Sequence, residues 1–360
     1  MNIALIEPFF TGSHKTWAQQ SQKLSKNPID IFHLPGIFWK SRMNTGAAIL
    51  AKQFMDSPKQ FDRIIATSML DLPLFLALTR KKSAHIPCYY YFHENQLAYP
   101  WSPKDREKQR GTDMHYILKN YTSALAADKV FFNSVYNRDS LLQGLTSFFR
   151  RFPDTYTYDP NELYEKSMVL PIGIHLSRFD QHKETKPEKA TLLWNHRWEP
   201  DKNPHAFVRL VERLYHHGLD FNVIVAGEQA GHGLSGAFSS LPELLGPRLI
   251  HFGYAKSFAR YAQLLHQATH LPVTSTQDFF GISIMEAVYC RAIPFLPDRL
   301  TYPSLFNKEQ NEEYFYKNED DLFEKISHSI LKRNALPHLR RFAAPYDWKH
   351  IISQYDQLLK

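Results

Sequence analysis

The sequence predicts an α/β protein built from two parallel-sheet domains facing across a cleft, and three observations carry that expectation. The chain has 360 residues, enough for two domains of ordinary size with two buried cores. Short strand patterns alternate with helical ones in two separate series. Between the series, Leu170 to Lys189 contains Pro171, Gly173 and the charged run DQHKETKPEK, a break in composition of the kind that marks a domain boundary.

The first series runs Asn2 to Ile6, Ile29 to His33, Arg63 to Ala66, Cys88 to Phe92 and Lys129 to Phe132, with helical segments such as Trp17 to Leu24 and Ile117 to Ala127 between them. Each strand is rich in β-branched or aromatic residues and closes on polar or turn residues. The second series follows Pro171 with Thr191 to Trp194, Phe221 to Ala226, Leu249 to Phe252, His270 to Val273 and Ala292 to Leu296, interspersed with helices such as Ala206 to His217. Strands alternating with helices in this way imply a parallel sheet covered by helices in each half. Phe149 to Lys166, rich in Tyr, Pro and Asp and without a period, reads as an insertion or loop near the cleft. The chain shows no internal repeat and no low-complexity tract.

Composition narrows the function classes. Hydrophobic content of 43% with 14% aromatics argues against a disordered chain, and no apolar run reaches the length of a membrane span. The first residues, MNIALIEPFF, have no basic lead and stop at Glu7 and Pro8, so they read as a first buried strand rather than a signal or anchor. A soluble, cytoplasmic protein is expected. Cys88 and Cys290 stand far apart among apolar residues and read as reduced core thiols. Lys and Arg outnumber Asp and Glu by 43 to 36, giving a formal charge of +7 that permits a polyanionic partner such as nucleic acid.

Chemistry concentrates at the predicted carboxyl ends of strands, where α/β domains bind ligands. In TQDFFGISIMEA, Asp278 falls in the loop after a strand, Gly281 opens a helix, and Glu286 lies eight positions beyond the first acid. The N–H groups of Gly281 and Ile282 would then suit an anion or sugar hydroxyl, with the two acids accepting hydrogen bonds. On the residues alone this stands beside a plainer reading, in which Asp278 caps the helix and Glu286 is a surface residue. Arg197 and Lys202, in NHRWEPDKNP, follow the first strand of the second series and can neutralise a diphosphate, one as a fork and one as a point charge, or pair with Glu199 and Asp201 as ordinary surface charge. Gly231 to Gly236 matches the dinucleotide fingerprint in spacing, but it is not in a first βαβ unit, Pro242 cuts the next helix short, and no acid follows to hold a ribose.

In the first half, YYFHENQ ends a strand with His93, Glu94, Asn95 and Gln96 in a row. Leu97 stands where a zinc helix would place a second His. FTGSHK places Gly12 and His14 after the first strand, with the glycine allowing backbone to approach a ligand. No Asp-x-Asp pair and no Walker loop occurs, so carboxylate-held metal catalysis is not suggested.

Taken together, these features resemble retaining glycosyltransferases of family 4, with the GT-B fold of two Rossmann-like domains. That group places an Arg and a Lys at the donor diphosphate, here Arg197 and Lys202, and an acid pair with seven residues between its members, here Asp278 and Glu286, with Gly281 at the motif's glycine. LPIGIHLSRF, from Leu170, resembles the group's interdomain junction, with His175 in place of the usual Asp. More closely, YFHENQLAYP, FNSVYN, HRWEPDKNP and DFFGISIMEAVYC resemble the tRNA-queuosine mannosyltransferase family, also called glycosyltransferase-like domain-containing 1.

The resemblance implies transfer of mannose from GDP-mannose to queuosine in the tRNA anticodon, with retention and with no metal or other cofactor. It implies an acceptor-side domain over 1–170, a nucleotide-sugar domain over 171–345 and a last helix over 346–360 packing back toward the first domain. Arg197, Lys202, His93 and Asp278 would be catalytic. Donor contacts would come from Gly12, Tyr254, Gly281, Ile282 and Glu286 as well, the loop of Gly12 closing over the donor. His14, Glu94, Asn95, Asn133 and Ser134 would lie on the acceptor side. Asp278 would hold sugar hydroxyls with a side chain one methylene shorter than the family's Glu, and Glu286 the ribose. Partners would be queuosine-containing tRNA and a nucleotide sugar, without stable membrane association. A lipid-linked or polysaccharide acceptor is the competing enzyme reading; it would need a basic amphipathic face, and Arg80-Lys81-Lys82 or Arg150-Arg151 could serve membrane or RNA. A non-catalytic nucleotide- or RNA-binding module is a third, against which the cation pair and the acids count.

Overall fold

Each half of the chain forms one six-stranded sheet, and every strand pair in both is parallel. The computed structural model describes residues 1–100, 114–152, 159–228, 236–332 and 338–358. In the first sheet, β1 (Ile3–Phe10), β2 (Ile29–Pro35), β3 (Arg63–Thr67), β4 (Cys88–Phe92), β5 (Lys129–Phe132) and β6 (Ser167–Val169) lie in the order β2-β1-β3-β4-β5-β6. The second contains β7 (Ala190–Trp194), β8 (Phe221–Ala226), β9 (Leu249–Gly253), β10 (His270–Pro272), β11 (Ile293–Pro297) and β12 (Phe315–Tyr316) in the order β12-β11-β10-β7-β8-β9. Central strands covered on both faces need apolar residues at every position, which is why Ile3-Ala4-Leu5-Ile6 and Cys88 to Phe92 are buried without alternation.

Strand order reverses between β1 and β3 in one sheet and between β7 and β10 in the other. Beyond the carboxyl ends of such neighbours the following loops diverge and leave a crevice. This positions the residues after β1 and β3 in the first sheet, with those after β4 one strand further, and those after β7 and β10 in the second.

The chain divides into two compact units, Met1–Gly173 with Trp348–Lys360, and Ile174–Asp347. The first unit's core includes Ile6, Leu50, Phe54, Phe75, Tyr90 and Phe92, and the second's Trp194, Phe207, Val211, Val223, Phe238 and Phe323. Helix Trp348–Leu358 belongs to the first unit, where Trp17 Nε1 donates to Tyr355 Oη at 2.9 Å and Ser25 Oγ to Asp356 at 2.6 Å. Tyr355 in turn donates to the Pro171 carbonyl at 2.9 Å.

Several boundaries differ from the sequence reading. The first helix begins at Gly12 rather than Trp17, because its first turn presents polar residues that carry no apolar period. Strands β6 and β12, of three and two residues, are too short for a period to show. The expected loop over Phe149 to Lys166 contains helix Pro160–Tyr164, started by Asp159, whose side chain accepts from the Asn161 N–H; residues 153–158 lie outside the described residues. So does most of the Gly231–Gly236 fingerprint look-alike. Cys88 and Cys290 are buried free thiols, and burial pushes Cys290 up to about 12. Among the described residues, no helix is long and apolar enough to cross a membrane.

Gly173, at the end of the first unit's main segment, fixes the last helix by what it lacks: a Cβ there would sit 2.3 Å from Trp348 Cδ2. Gly173→Ala should therefore destabilise the first unit by about 1–3 kcal/mol, the usual cost of overpacking, read as a lower urea midpoint. An unchanged midpoint would mean that Trp348 moves aside without cost.

Candidate active site

The second unit's site grows from the ends of β7 and β10, the strands flanking the order reversal. After Trp194 the chain leaves β7 through Asn195 and His196, both buried, and makes a single 3₁₀ turn at Pro200–Lys202. That loop is laced to the one after β10: the Thr276 N–H donates to the Asp201 carbonyl at 2.7 Å and Thr274 Oγ1 to the Lys202 carbonyl at 2.9 Å. Backbone pairing of the two loops thus fixes where the Lys202 side chain begins.

Lys202 Nζ lies 2.8 Å from the Gln277 carbonyl, 2.9 Å from Asp278 Oδ1 and 3.0 Å from Asp201 Oδ2. These partners engage all three ammonium donors, and the side chain is only 12% exposed. Burial alone would lower its pKa; Asp278 and Asp201 outweigh burial and raise it. Asp278 Oδ2 accepts from Tyr302 Oη at 2.7 Å. Its burial pushes the carboxyl up, but Lys202 and the Tyr302 bond more than offset this and leave it below the ordinary value. Asp278 is therefore no helix cap but the counter-ion of a buried lysine. Arg197 differs: its side chain is 64% exposed and meets Glu199 at 3.0 Å. The pairings of the plainer charge reading do occur, yet only Arg197 is a surface group.

Gly281, at φ 86° in the left-handed region, precedes helix Ile282–Tyr289 and offers no side-chain cap, so the first-turn N–H groups of Ile282 and Ser283 are left for another acceptor. Asn195 Nδ2 donates to the Ser283 carbonyl at 2.8 Å, and Ser283 Oγ and His196 Nδ1 are 3.0 Å apart, joining the helix start to β7. Asn195 Oδ1 and His196 Nε2 are buried with no hydrogen-bond partner in the protein. Burial lowers the His196 pKa to about 4, so its imidazole is neutral. Glu286 is buried, not a surface residue: Tyr261 Oη donates to it at 2.8 Å and Arg178 Nη2 at 3.1 Å. Burial raises its pKa despite both partners. Tyr254, just after β9, is 66% exposed.

The first unit gathers a second polar group at the ends of β1 and β4. His14, in the first helix, lies between Glu7 Oε2 at 3.2 Å from Nδ1 and Glu94 Oε2 at 3.0 Å from Nε2. Burial would lower its pKa; the two carboxylates outweigh that and push it up to about 10. His93, packed against Trp17 and Tyr91, has no hydrogen-bond partner at either ring nitrogen, and burial followed by the charge of His14 holds it well below 6.5. Gly12 has φ 49° with open space where a Cβ would stand. Three expected acceptor-side residues are framework instead. Asn95 Nδ2 donates to Asn137 and Ser140 while its Oδ1 accepts from the Ala98 N–H; Asn133 donates to the His93 carbonyl and accepts from Asn137; Ser134 caps helix Val135–Phe149.

The sequence reading also expected no metal-ligand set, yet among the described residues Glu7, His14 and His93 bring donor atoms within 4.8 Å of one another. Residues so far apart in sequence leave no motif spacing to read. Tyr261, Tyr302 and Arg178 were missed for the same reason, since each reaches the site from a different segment, whereas Asn195 and His196 adjoin Arg197 and show their buried polar atoms only in the fold.

The chain is similar to known proteins over most of its length. Residues 2–174 match the family model described as tRNA-queuosine alpha-mannosyltransferase N-terminal, and residues 177–344 that of Glycosyl transferases group 1. The tRNA-queuosine alpha-mannosyltransferase of Drosophila melanogaster is 35% identical over 320 residues, covering 86% of this chain and 82% of the fly protein. Among solved structures, sucrose-phosphate synthase from Thermosynechococcus elongatus is similar at TM-score 0.69 and 14% identity, over 99% of this chain and 98% of that one. The E. coli trehalose-6-phosphate protein bound with UDP-2-fluoro glucose is similar at TM-score 0.66 and 11% identity, over 100% and 99%.

Two parallel-sheet units with lysine, acids and an uncapped helix start at the second switch point define a GT-B glycosyltransferase. The chain belongs to the tRNA-queuosine alpha-mannosyltransferase family.

Removing the buried ammonium should strand two acids. Lys202→Met is expected to cost about 3–5 kcal/mol in urea unfolding, and Lys202→Met with Asp278→Leu less than Lys202→Met alone. Because the Asp278 pKa is lowered by folding, its contribution is fully present above the unfolded value of about 3.9 and is lost as pH falls through the folded value. The stability gap between wild type and Asp278→Asn should accordingly narrow on acidification below about pH 5; a gap independent of pH would remove the ion pair from the account.

Proposed function

We propose that the chain transfers mannose from GDP-mannose to a cyclopentene hydroxyl of queuosine in the anticodon of tRNA, in the cytoplasm, with retained anomeric configuration. The observation that carries this reading is the Lys202–Asp278 pair beside the uncapped helix start at Gly281, in a chain of this family. Guanine, mannose and queuosine are carried by the family, and the chemistry by the residues.

In such a transfer the bond from the sugar's anomeric carbon to the phosphate oxygen breaks as the acceptor oxygen forms its own bond to that carbon. Positive charge grows on the sugar and negative charge on the departing diphosphate. Stabilising the leaving group is then the main task. Arg197 can do so at little cost, because an exposed pair such as that with Glu199 is worth only about 0–1 kcal/mol. The amides of Ile282 and Ser283 add a helix N-terminus. Lys202 must exchange one of its three present partners for a phosphate oxygen, and Asp201 is the one to be released, since Asp278 is also held by Tyr302. Asp278 keeps acceptor capacity beyond its two bonds and would take a sugar hydroxyl; Glu286, steadied by Arg178 and Tyr261, would take the ribose. No metal is assigned to this diphosphate step, since these donors suffice for the charge. The acceptor proton would pass to the leaving phosphate on the same face, and His93 would contact the acceptor side of the sugar.

The test is to incubate the protein with queuosine-containing tRNA and a panel of nucleotide sugars, then digest to nucleosides for mass spectrometry, with tRNA lacking queuosine as control. Hexose added to queuosine with GDP-mannose alone is expected; transfer from another donor would overturn the donor assignment. Lys202→Ala should lower turnover by orders of magnitude with the fold checked by circular dichroism, and near-normal turnover would remove Lys202 from the mechanism. Asp201→Asn should tighten GDP binding severalfold by calorimetry; unchanged affinity would mean that Lys202 does not exchange Asp201 for phosphate.

A further inference from the structure

We propose that Glu7, His14 and His93 form a zinc site within the first unit, independent of the transfer reading. Glu7 lies in β1 and is fully buried, His14 is in the first helix, and His93 follows β4, so three separate segments converge. Glu7 Oε2 is 3.2 Å from His14 Nδ1 and 3.9 Å from His93 Nε2. A tetrahedral zinc with bonds of about 2.0–2.2 Å holds its ligand atoms roughly 3.4 Å apart, so the three donor atoms, all within 4.8 Å of one another, would draw in around the ion.

The surroundings are those a metal-binding imidazole requires. The other nitrogen of His14 lies 3.0 Å from Glu94 Oε2, and Glu94 Oε1 accepts from Ser68 Oγ at 2.8 Å. The second oxygen of Glu7 accepts from the Phe9 N–H at 2.9 Å. Each of these two ligands is therefore oriented through its far side by a group that cannot itself reach the ion, the carboxylate–histidine–zinc arrangement. His93 supplies the independent sign. Its side chain is 3% exposed, yet neither ring nitrogen has a hydrogen-bond partner, which is unfavourable for a buried polar group. An ion bound at Nε2 satisfies one of the two nitrogens.

Two imidazoles and one carboxylate suit zinc better than magnesium or calcium, which take oxygen ligands. The fourth position remains for water or a hydroxyl.

The experiment uses the full chain purified without a histidine tag, with metal content read by plasma mass spectrometry and zinc affinity by chelator competition. About one zinc per chain is expected, with X-ray absorption at the zinc edge reporting two imidazoles among nitrogen and oxygen ligands. Exchange for cobalt should give the visible bands of a four-coordinate ion. Glu7→Gln and His93→Gln should abolish binding, and Glu94→Gln should weaken it about 10–100-fold. Three results would overturn the site: no zinc or cobalt taken up by the folded wild-type chain, an edge spectrum without imidazole, or unchanged binding in the Glu7 and His93 variants. The spectra on wild type decide the matter even if a variant fails to fold.

Discussion

The ammonium of Lys202 organises the second unit's site. It sits where two loops from neighbouring strands are already bonded backbone to backbone, and it draws Asp201, Asp278 and the Gln277 carbonyl around one charge. Asp278 then takes the hydroxyl of Tyr302, which ties in a further helix, while the chain between Asp278 and Gly281 is held in position to start the helix that carries Glu286. Burying one cation between two acids is costly unless every donor is used, and here every donor is used. The ammonium therefore serves an anion only by exchanging partners.

Each unit places one basic side chain between two acids. In the second, one cation is compensated by two anions; in the first, Glu7 and Glu94 hold one histidine between them and leave its neighbour, His93, without a partner. Both groups gather toward the carboxyl ends of strands near the reversal of strand order, where parallel-sheet topology lets polar groups from distant segments converge.

That convergence explains what could be read from sequence. Strands buried on both faces announce themselves by unbroken apolar runs, so Cys88–Phe92, Lys129–Phe132 and Phe221–Ala226 were legible to the residue, whereas the edge strands Ser167–Val169 and Phe315–Tyr316 were too short to carry a pattern. Arg197, Lys202, Asp278, Gly281 and Glu286 could be singled out because each follows a predicted strand or opens a predicted helix. Their partners could not. Tyr261, Tyr302 and Arg178 look like ordinary helix or turn residues until the fold brings them to an acid, and Glu7 reads only as the polar end of an apolar run. Conversely, Asn95, Asn133 and Ser134 stood in suggestive positions, but an asparagine or serine after a strand has local backbone groups to satisfy, and the structure commits all three to that task.

The chain leaves the first unit at Gly173 and returns to it at Trp348, and the two crossings are adjacent, with the Ile174 N–H donating to the Tyr346 carbonyl at 2.8 Å. In order of synthesis, the unit that begins first is therefore finished last. Every residue of the second unit emerges from the ribosome before the helix that supplies Tyr355 to Trp17, so the first unit's sheet must wait, with the face meant for that helix uncovered, until Trp348–Leu358 has been made. A chain lacking that helix would lose nothing from the second unit and would leave the first permanently open.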